Sequence, residues 1–299
     1  MGTVVSIGEV LWDVLPNGEY LGGAPFNFAA NCARLGHDAF FLSAVGEDPL
    51  GERTLRAIEA AGVPTNYVCR VPAAPTGVVR VTFDADGQPN YVISRPAAYD
   101  FTRVDERVTD AILSRRPDVL YFGTLSQLFP NNRTALFGLI DLLPEAVCFY
   151  DVNLRKDSFD HGLLMQLMSR AQVVKMNEHE TSVVQQLLGT TAPSLQEFCR
   201  SYCRKFGWRA IWITLGPGGC AVFQDSQYLE VKGFPVEVPN PVGAGDAFSA
   251  AVCHGMLQRW PILKTADFAN RLGAVIAKQP GAIGEWSLQD IEAIRAAQP

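Results

Sequence analysis

The sequence contains no long apolar run and no cluster of a single charge. No segment reaches the roughly 18 consecutive apolar residues that a membrane-spanning helix needs. The 25 basic residues are scattered, and 31 acidic residues give a formal net charge of −6 at pH 7. These features argue against nucleic acid or a membrane as a partner. Met1-Gly2-Thr3 leads directly into an apolar segment without a basic region, which predicts a cytoplasmic protein.

The cysteines and histidines form no metal-binding or redox motif. Among seven cysteines, Cys199 and Cys203 are four positions apart rather than in a Cys-x-x-Cys arrangement. None of the four histidines pairs with them at the spacing of zinc ligands. We therefore interpret the cysteines as buried free thiols.

Two common nucleotide-binding motifs are also absent. The sequence has no Gly-x-x-x-x-Gly-Lys-Ser/Thr, which excludes a P-loop. Gly243-Ala-Gly245 lacks the third glycine of a dinucleotide fingerprint, since Phe248 stands in that place. The glycine pair also does not follow the first predicted strand. A Rossmann dehydrogenase is therefore not expected.

The same glycine pair lies where a Pro-rich segment opens into a helix of small residues. Pro239 and Pro241 disfavour helical backbone before them, so the helix is predicted to begin at about Gly243. The unpaired N–H groups of a first helical turn suit a phosphate, and glycine leaves them open. Asp246 lies in that turn, where acids also occur simply as capping residues. An anion site beside a carboxylate that accepts a proton is the arrangement that phosphoryl transfer to a hydroxyl requires.

Elsewhere the chain alternates between predicted strands and helices. Its 299 residues and 48% hydrophobic content fit one large α/β domain over residues 1–299. Three short β segments at 67–70, 77–84 and 90–94 interrupt the alternation without an intervening helix. We predict a doubly wound, mostly parallel sheet flanked by helices. A small β-sheet lid is predicted from the segments at about 12–22 and 66–100.

A second glycine pair precedes a predicted helix near the start of the chain. Pro25 fits the first turn of that helix, and Gly36 fits its end. Asn27 and Asn31 lie on one face of it. Because asparagine is a poor interior helix former, the pair is either a set of capping and surface residues or a set of ligands for a polyol.

Together, these segments resemble the ribokinase-like (PfkB) family of carbohydrate kinases over essentially the whole chain. Gly22-Gly23-Ala-Pro-Phe-Asn27 matches the N-terminal motif of the family, and Gly243-Ala-Gly-Asp246 matches its C-terminal motif. Further matches in the family order are Asn177-x-x-Glu180, Thr214-Leu-Gly216-x-x-Gly219 and Ala269-Asn270 with Gly281-Ala282. The segments around Asp13 and Asp151-Val-Asn-Leu-Arg155 look most like the fructokinase branch.

The resemblance implies an ATP-dependent sugar kinase. Asp246 would remove the proton of a primary hydroxyl, and the backbone amides of Gly243, Ala244 and Gly245 would hold the γ-phosphate. The implied substrate-binding residues are Asp13, Gly22, Gly23, Asn27, Arg95, Asn153 and Arg155. The implied nucleotide-binding residues are Asn177, Thr214, Gly216, Gly219 and Asn270. Mg²⁺ is implied at Asn177 and Glu180, held through water.

Several of these residues also have structural interpretations. Asn177 and Glu180 fit the start of a helix with a capping pair. Asp13 is able to cap the predicted turn at Pro16. Arg155 could be an ordinary surface cation, and Arg95 could either reach the sugar from the lid or be solvated.

The sequence departs from the family at Asn240-Pro241-Val242, where Asp-Thr-Thr or Asp-Thr-Val is usual. Those positions often help to hold a monovalent cation in relatives. Losing the carboxylate and hydroxyl argues against activation by K⁺, although backbone carbonyls could still serve.

D-Fructose, giving fructose 6-phosphate, is the predicted acceptor. 2-Keto-3-deoxygluconate, ribose and a nucleoside are the alternatives, and a non-catalytic sugar-binding regulator is the alternative of another class. A homodimer formed through exposed lid edges is compatible with the sequence, but no residue fixes it.

Overall fold

The computed structural model describes residues 1–15, 18–83, 89–237 and 242–294. Three sequence features lie outside these residues: Pro16 and Asn17 of the turn predicted at Pro16-Asn-Gly18, the segment Pro239-Asn240-Pro241, and Asp86-Gly87, where a hairpin turn is predicted between the β segments at 77–84 and 90–94. The strands of the described part are β1 Thr3–Ile7, β2 Leu11–Leu15, β3 Gly18–Gly22, β4 Asp38–Gly46, β5 Val68–Val71, β6 Gly77–Phe83, β7 Pro89–Ile93, β8 Val119–Gly123, β9 Val147–Asp151, β10 Val173–Asn177, β11 Ala210–Thr214, β12 Gly219–Gln224 and β13 Gln227–Lys232. Its helices are α1 Ala24–Arg34, α2 Pro49–Ala60, α3 Glu106–Arg115, α4 Pro130–Leu142, α5 His161–Arg170, α6 Glu178–Leu187, α7 Leu195–Phe206, α8 Ala244–Leu257, α9 Ile262–Ala277 and α10 Leu288–Ala293.

The main sheet has the strand order β13-β12-β11-β10-β9-β8-β1-β4-β5. Neighbouring strands from β11 to β5 are parallel, whereas β12 and β13 are antiparallel additions at one edge. Hydrophobic cores cover both faces, one containing residues of α1, α8 and α9 and the other residues of α3, α4, α5 and α7. Strands such as β8 are therefore buried along their whole length. The predicted doubly wound, mostly parallel sheet is confirmed.

The direction of strand addition reverses at β1. The chain adds β4 and β5 on one side of β1 and later adds β8 to β11 on the other. In such sheets ligands bind in the crevice outside the carboxyl ends of the strands, where the order reverses. Glu9 follows β1, and Asp151 and Asn177 end β9 and β10. Polar side chains are thus placed along this crevice.

A second sheet of four strands has the order β3-β2-β6-β7. Strand β2 pairs antiparallel with β3 and parallel with β6. Side chains alternate between the faces of a strand, and the alternate residues Leu11, Asp13 and Leu15 all line the cleft beside this sheet. The sheet, which we call the lid, therefore turns a face of mixed polarity toward the crevice.

The predicted second segment of the lid was too wide. The strand expected at 67–70 lies in the main sheet as β5, paired in parallel with β4. Strand β4 has nine residues; its first five pair with β1, and the residues from Ser43 onward pair with β5. A short apolar segment does not itself indicate its partner, and the length of β4 provides one.

Within the described ranges, no helix is both long and apolar enough to cross a bilayer.

Candidate active site

A cleft of about 1190 Å³ lies between the carboxyl edge of the main sheet and the lid. All the predicted site residues except Gly22 and Glu180 line it. The cleft is large enough for a nucleotide and a small acceptor together, since pockets for single small ligands span roughly 300–1,000 Å³. The two glycine motifs at opposite ends of the chain therefore meet in one place.

Asp246 and Asn27 are in direct contact in this cleft, although 219 positions separate them in the sequence. Asp246 lies in the first turn of α8, and Asn27 lies near the start of α1, which packs against α8. Asn27 Nδ2 donates a hydrogen bond of 2.7 Å to Asp246 Oδ2. The buried Asn27 Oδ1 has no hydrogen-bond partner within the described residues. Asn27 thus orients the Asp246 carboxylate and has an acceptor atom that is unpaired within the described residues.

The N-terminus of α8 presents backbone N–H groups to the cleft. Gly243 caps the helix with φ of +84°, in the left-handed region that glycine adopts without strain. A Cβ at Gly243 would also lie 2.1 Å from the carbonyl oxygen of Ala282. Ala244 and Gly245 complete the cleft-lining part of the first turn. The unpaired amides and the positive end of the helix dipole favour an anion here.

The surroundings of Asp246 make it a stronger base than a free aspartate. Burial raises the pKa of Asp246, and the Asp151 carboxylate raises it further. Lys175, the hydrogen bond from Asn27 and the charge of Arg155 lower this pKa but do not cancel the rise. A carboxylate with a raised pKa accepts a proton more readily near neutral pH. The site therefore contains a candidate general base beside an anion site.

A buried ionic network lies directly behind this anion site. Lys175 is only 5% exposed, and its Nζ lies 3.2 Å from each carboxylate oxygen of Asp151. Asp151 also accepts hydrogen bonds from Ser249 Oγ at 2.8 Å and from the Tyr121 hydroxyl at 3.0 Å. Burial alone would lower the pKa of Lys175, but Asp151 and other nearby carboxylates raise it, so the side chain is an ammonium. Lys175 was not predicted from the sequence, where its signal is a lysine within a strand that is buried on both faces.

Glu9 is a second cleft residue that was not predicted from the sequence. It is 3% exposed at the carboxyl end of β1 and lines the cleft. Within the described residues, its buried Oε2 has no hydrogen-bond partner. Burial raises the pKa of Glu9 to about 7 and that of Asp13 to about 6. Carboxyl groups that titrate near neutral pH are typical of functional sites.

We expect Glu9→Gln to stabilise the protein at about pH 8 but much less at about pH 5. Folding raises the pKa of Glu9 from 4.5 to about 7. The folded state therefore keeps a proton that the unfolded chain releases, and stability is lost as pH rises through this interval. The shift corresponds to roughly 3 kcal/mol. Urea denaturation of both proteins at the two pH values measures the difference, with exposed Glu145→Gln as the control. Equal pH dependence of wild type and Glu9→Gln would contradict the expectation.

The lid and the N-terminal glycine pair form the wall opposite α8. Gly23 has φ of +112°, and a Cβ there would lie 2.4 Å from the carbonyl oxygen of Glu9, so only glycine fits. Gly22 does not line the cleft but lies against Asp13, whose Oδ2 would be 3.0 Å from a Cβ at Gly22. Asp13 itself faces the cleft from β2. Its backbone pairs with Tyr20 of β3, which holds it in the sheet.

Arg95 also lies in this wall, but its charge is already engaged. Its guanidinium forms an ion pair with the fully buried Asp100 and donates a hydrogen bond of 3.1 Å to the Leu125 carbonyl oxygen. The Arg95 side chain is 14% exposed, so it is not solvated. Arg95 therefore lines the cleft with a guanidinium that is held in place and whose charge is balanced by Asp100.

The loop after β9 contributes Asn153 and Arg155 at the mouth of the cleft. Asn153 adopts the left-handed conformation with φ of +36°, which asparagine tolerates better than most residues. Arg155 is exposed but lines the cleft, and its charge lowers the pKa of Glu9, Asp13 and Asp246. Arg155 is therefore a cation of the site.

The side of the cleft predicted to bind the nucleotide lies beyond β11. Thr214 ends β11, and Gly216 and Gly219 have φ of +57° and +105° in the turn to β12. A Cβ at Gly219 would lie 2.1 Å from the Val231 carbonyl oxygen. Asn270 Nδ2 donates hydrogen bonds of 3.2 Å to the carbonyls at the end of β13. Asn270 thus fastens α9 to β13 as well as lining the cleft.

Asn177 and Glu180 form the capping pair that the sequence also allowed. Glu180 Oε2 accepts from the Asn177 amide at 2.8 Å, and Asn177 Oδ1 accepts from the Glu180 amide at 2.9 Å. Glu180 Oε1 accepts from the Leu154 amide at 2.7 Å. Glu180 is buried behind the cleft wall, whereas Asn177 is exposed and lines it. No group of three or more His, Cys, Asp or Glu suited to a metal occurs in the described residues. Both Glu180 oxygens already accept backbone hydrogen bonds, so Glu180 would reach a hydrated Mg²⁺ in the cleft only through water, on the second lone pair of an oxygen.

The family model of the pfkB family of carbohydrate kinases matches residues 8–288 of this chain. The chain belongs to this family. The matched range contains both glycine motifs and every candidate site residue. The protein is thus a sugar kinase, as the two motifs predicted.

The pfkB relatives include fructokinases. Fructokinase-1 of Zea mays is 27% identical over 307 residues, which cover 94% of this chain and 93% of the relative. The fructokinase of Escherichia coli is 27% identical over 296 residues, which cover 93% of this chain and 94% of the relative.

Solved structures share the pfkB fold. Fructokinase of Xylella fastidiosa with bound ATP has a TM-score of 0.87 at 23% identity and covers 98% of this chain and 97% of its own. A fructokinase double mutant of Vibrio cholerae, bound to fructose, ADP and potassium, has a TM-score of 0.78 at 25% identity. The match covers 95% of this chain and 94% of the mutant's. The 2-dehydro-3-deoxygluconokinase of Thermotoga maritima has a TM-score of 0.83 at 19% identity, and the match covers 98% of this chain and 97% of that kinase. The fold is therefore shared by kinases with different acceptors.

Proposed function

We propose that this pfkB kinase transfers the γ-phosphoryl group of ATP to a primary hydroxyl of D-fructose, giving fructose 6-phosphate and ADP. The observation that carries the proposal is the hydrogen bond from Asn27 to Asp246 at the N-terminus of α8. It joins a general base, an anion site and an unpartnered acceptor atom in one cleft. The fructokinase names of the relatives support fructose as the acceptor.

Asp246 acts as the base in the proposed transfer. Its carboxylate takes the proton of the primary hydroxyl while that oxygen forms a bond to the γ-phosphorus. The bond from the γ-phosphorus to the bridging oxygen breaks, and ADP leaves with the electron pair. The amides of Gly243, Ala244 and Gly245 hold the equatorial phosphoryl oxygens during the transfer. Positioning and electrostatic stabilisation therefore provide most of the catalysis.

Mg²⁺ bound with ATP would offset the charge of the phosphate oxygens, and Asn177 with Glu180 would hold it through water. On the acceptor side, Asp13, Gly23 and Asn27 bind hydroxyl groups. The lid covers them, which keeps water from competing with the sugar for the phosphoryl group.

The charges of the acceptor wall favour a neutral sugar. Glu9 and Asp13 place two carboxyl groups there, and Arg95 is neutralised by Asp100. Arg155 is the remaining cation of the site, and its charge already acts on Glu9, Asp13 and Asp246. The carboxylate of a charged acceptor would therefore compete with these carboxyl groups for it. This arrangement supports fructose over 2-keto-3-deoxygluconate. Ribose and nucleosides remain neutral alternatives that only a rate comparison separates.

A panel of acceptors with coupled detection of ADP tests the proposal. We expect the largest kcat/KM with fructose, a lower value with ribose and nucleosides, and little turnover of 2-keto-3-deoxygluconate. Running the panel in potassium and in sodium salts tests the expectation from Asn240-Pro241-Val242 that potassium has little effect. Sugar binding without ADP release in the presence of Mg²⁺ would instead support a non-catalytic regulator.

Two further parts of the proposal follow from the sequence and the sheet order. The enzyme is proposed to act in the cytoplasm, which agrees with its scattered basic residues and its net charge of −6. A homodimer is compatible with the lid, whose outer strands are β3 and β7. Sedimentation velocity with and without sugar measures the assembly state.

A further inference from the structure

Lys175 places a buried ammonium group beside the anion site of α8. Both of its hydrogen bonds, at 3.2 Å, go to the two oxygens of Asp151. An ammonium group has three N–H donors, and no other partner of Lys175 Nζ occurs within the described residues. Lys175 nevertheless lines the cleft. At least one N–H is therefore available to a ligand there.

Gly245 is the position that brings this ammonium close to α8. A Cβ at Gly245 would lie 2.9 Å from Lys175 Nζ and 3.8 Å from Cε. Gly245 is not among the glycines with positive φ, so its backbone conformation does not require glycine. A methyl group at this position would press against the Lys175 ammonium, the flexible end of its side chain, which would have to move. The glycine in the first turn of α8 thus admits a cation to the anion site.

Asp151 fixes the Lys175 side chain relative to the base. It accepts a hydrogen bond from Ser249, which lies one turn beyond Asp246 on the same helix. Tyr121 donates a further bond to the same Asp151 oxygen. Burying such an ion pair costs desolvation energy and adds little net stability compared with apolar packing. Its place between β10 and the first turns of α8 points to a function in the cleft.

We propose that Lys175 is a further catalytic residue, which donates a hydrogen bond to the γ-phosphoryl group during its transfer. No proton leaves the ammonium; its charge and its third N–H stabilise the negative charge on the phosphoryl oxygens, beside the backbone amides. Asp151 and Ser249 are positioning residues that hold Lys175. The inference rests on the proposed kinase function and adds a cationic side chain to its phosphate site.

The double variant Lys175→Met with Asp151→Asn tests this role without leaving an unpaired buried charge. We expect its affinity for the non-hydrolysable triphosphate AMP-PNP to fall at least about tenfold and kcat to fall about 10²- to 10³-fold. Affinity for ADP, which lacks the γ-phosphate, should change less than about threefold. Isothermal titration with both nucleotides measures this selectivity. The exposed pair Arg170 and Asp141, changed to Met and Asn, is the matched control.

Gly245→Ala provides a second variant that removes no charge. Alanine suits a helix better than glycine, and its methyl group would displace the Lys175 ammonium. We expect the same selective loss of AMP-PNP affinity, so the test holds even if the double variant does not fold. Equal losses for ADP and AMP-PNP, or no loss, would overturn the role of Lys175. Failure of the wild type to phosphorylate any sugar would instead refute the proposed function, and the two failures are distinguishable.

Discussion

Asp246→Asn should lower kcat by about 10³-fold or more while the protein still binds sugar. The amide of asparagine has nearly the shape of the carboxylate but takes no proton from a hydroxyl. Its carbonyl oxygen can still accept the hydrogen bond from Asn27, so the acceptor wall is retained. Coupled ADP assays give kcat, and titration calorimetry gives the sugar Kd, which should change less than about threefold. Near-normal turnover by this variant would remove Asp246 from its role as base.

Asp290→Asn is the matched control for this prediction. Asp290 also lies in the first turn of a helix, α10, where it bonds to the hydroxyl and amide of Ser287. Both substitutions remove an acid from the positive end of a helix, a change typically worth 0.3–1 kcal/mol. Only Asp246 lies in the cleft. We expect the Asp290 variant to keep wild-type kcat, so that a loss specific to Asp246 reports chemistry rather than helix stability.

The contact between Asn27 and Asp246 places a predicted sugar ligand beside the candidate base. The sequence left Asn27 as either a capping or surface residue or a ligand of a polyol, and the family motif favoured the sugar. In the fold, α1 and α8 pack side by side, and Asn27 Nδ2 orients the carboxylate. A sugar hydroxyl that contacts Asn27 would also lie near Asp246, because the two side chains are hydrogen-bonded. Proximity of this kind is a major source of rate enhancement in bimolecular transfers.

The sequence predicted those parts of the fold that depend on local pattern. Helix α8 was predicted to begin at about Gly243, and it begins at Ala244 with Gly243 as its left-handed cap. Helix α5, His161–Arg170, was not predicted. Strand β5 was assigned to the wrong sheet, since its partner is decided by the unpaired end of β4. Partner choice depends on contacts distant in sequence, which a local pattern does not contain.

The residues of the candidate site also fall into two groups, those that a sequence motif identified and those that it did not. Gly243, Asp246 and Gly23 were predicted because their motifs restrict both residue type and spacing. Glu9 and Lys175 were missed because each is a single charged residue, Glu9 just after β1 and Lys175 within β10, that the neighbouring motif did not single out. Their significance lies in burial and in what they face, which only the fold provides. Charged residues are rarely buried, and ligands bind at the carboxyl ends of parallel strands. A charged residue at or near such an end therefore indicates a functional site even without a motif.

Gly243→Ala should be the second most damaging substitution in the cleft, lowering kcat about 10²-fold or more. The new Cβ would lie 2.1, 2.5 and 2.6 Å from the carbonyl oxygen, Cα and carbonyl carbon of Ala282. These are backbone atoms, which cannot rotate away as a side chain can, so the first turn of α8 must shift. The left-handed φ of +84° adds roughly 1–2 kcal/mol of strain for a residue with a Cβ. Coupled ADP assays and thermal denaturation measure the two effects.

Gly62→Ala separates strain from displacement of the anion site. Gly62 has nearly the same conformation, with φ of +80°, but a Cβ there meets no atom within 4 Å. It follows α2 on the outside of the fold, away from the cleft. Backbone strain should therefore lower the free energy of unfolding of both variants by roughly 1–2 kcal/mol. Only Gly243→Ala should also have a lower kcat. If the two variants unfolded at the same lowered temperature with unchanged kcat, the amides at Gly243, Ala244 and Gly245 would not be the groups that stabilise the transferred phosphoryl group.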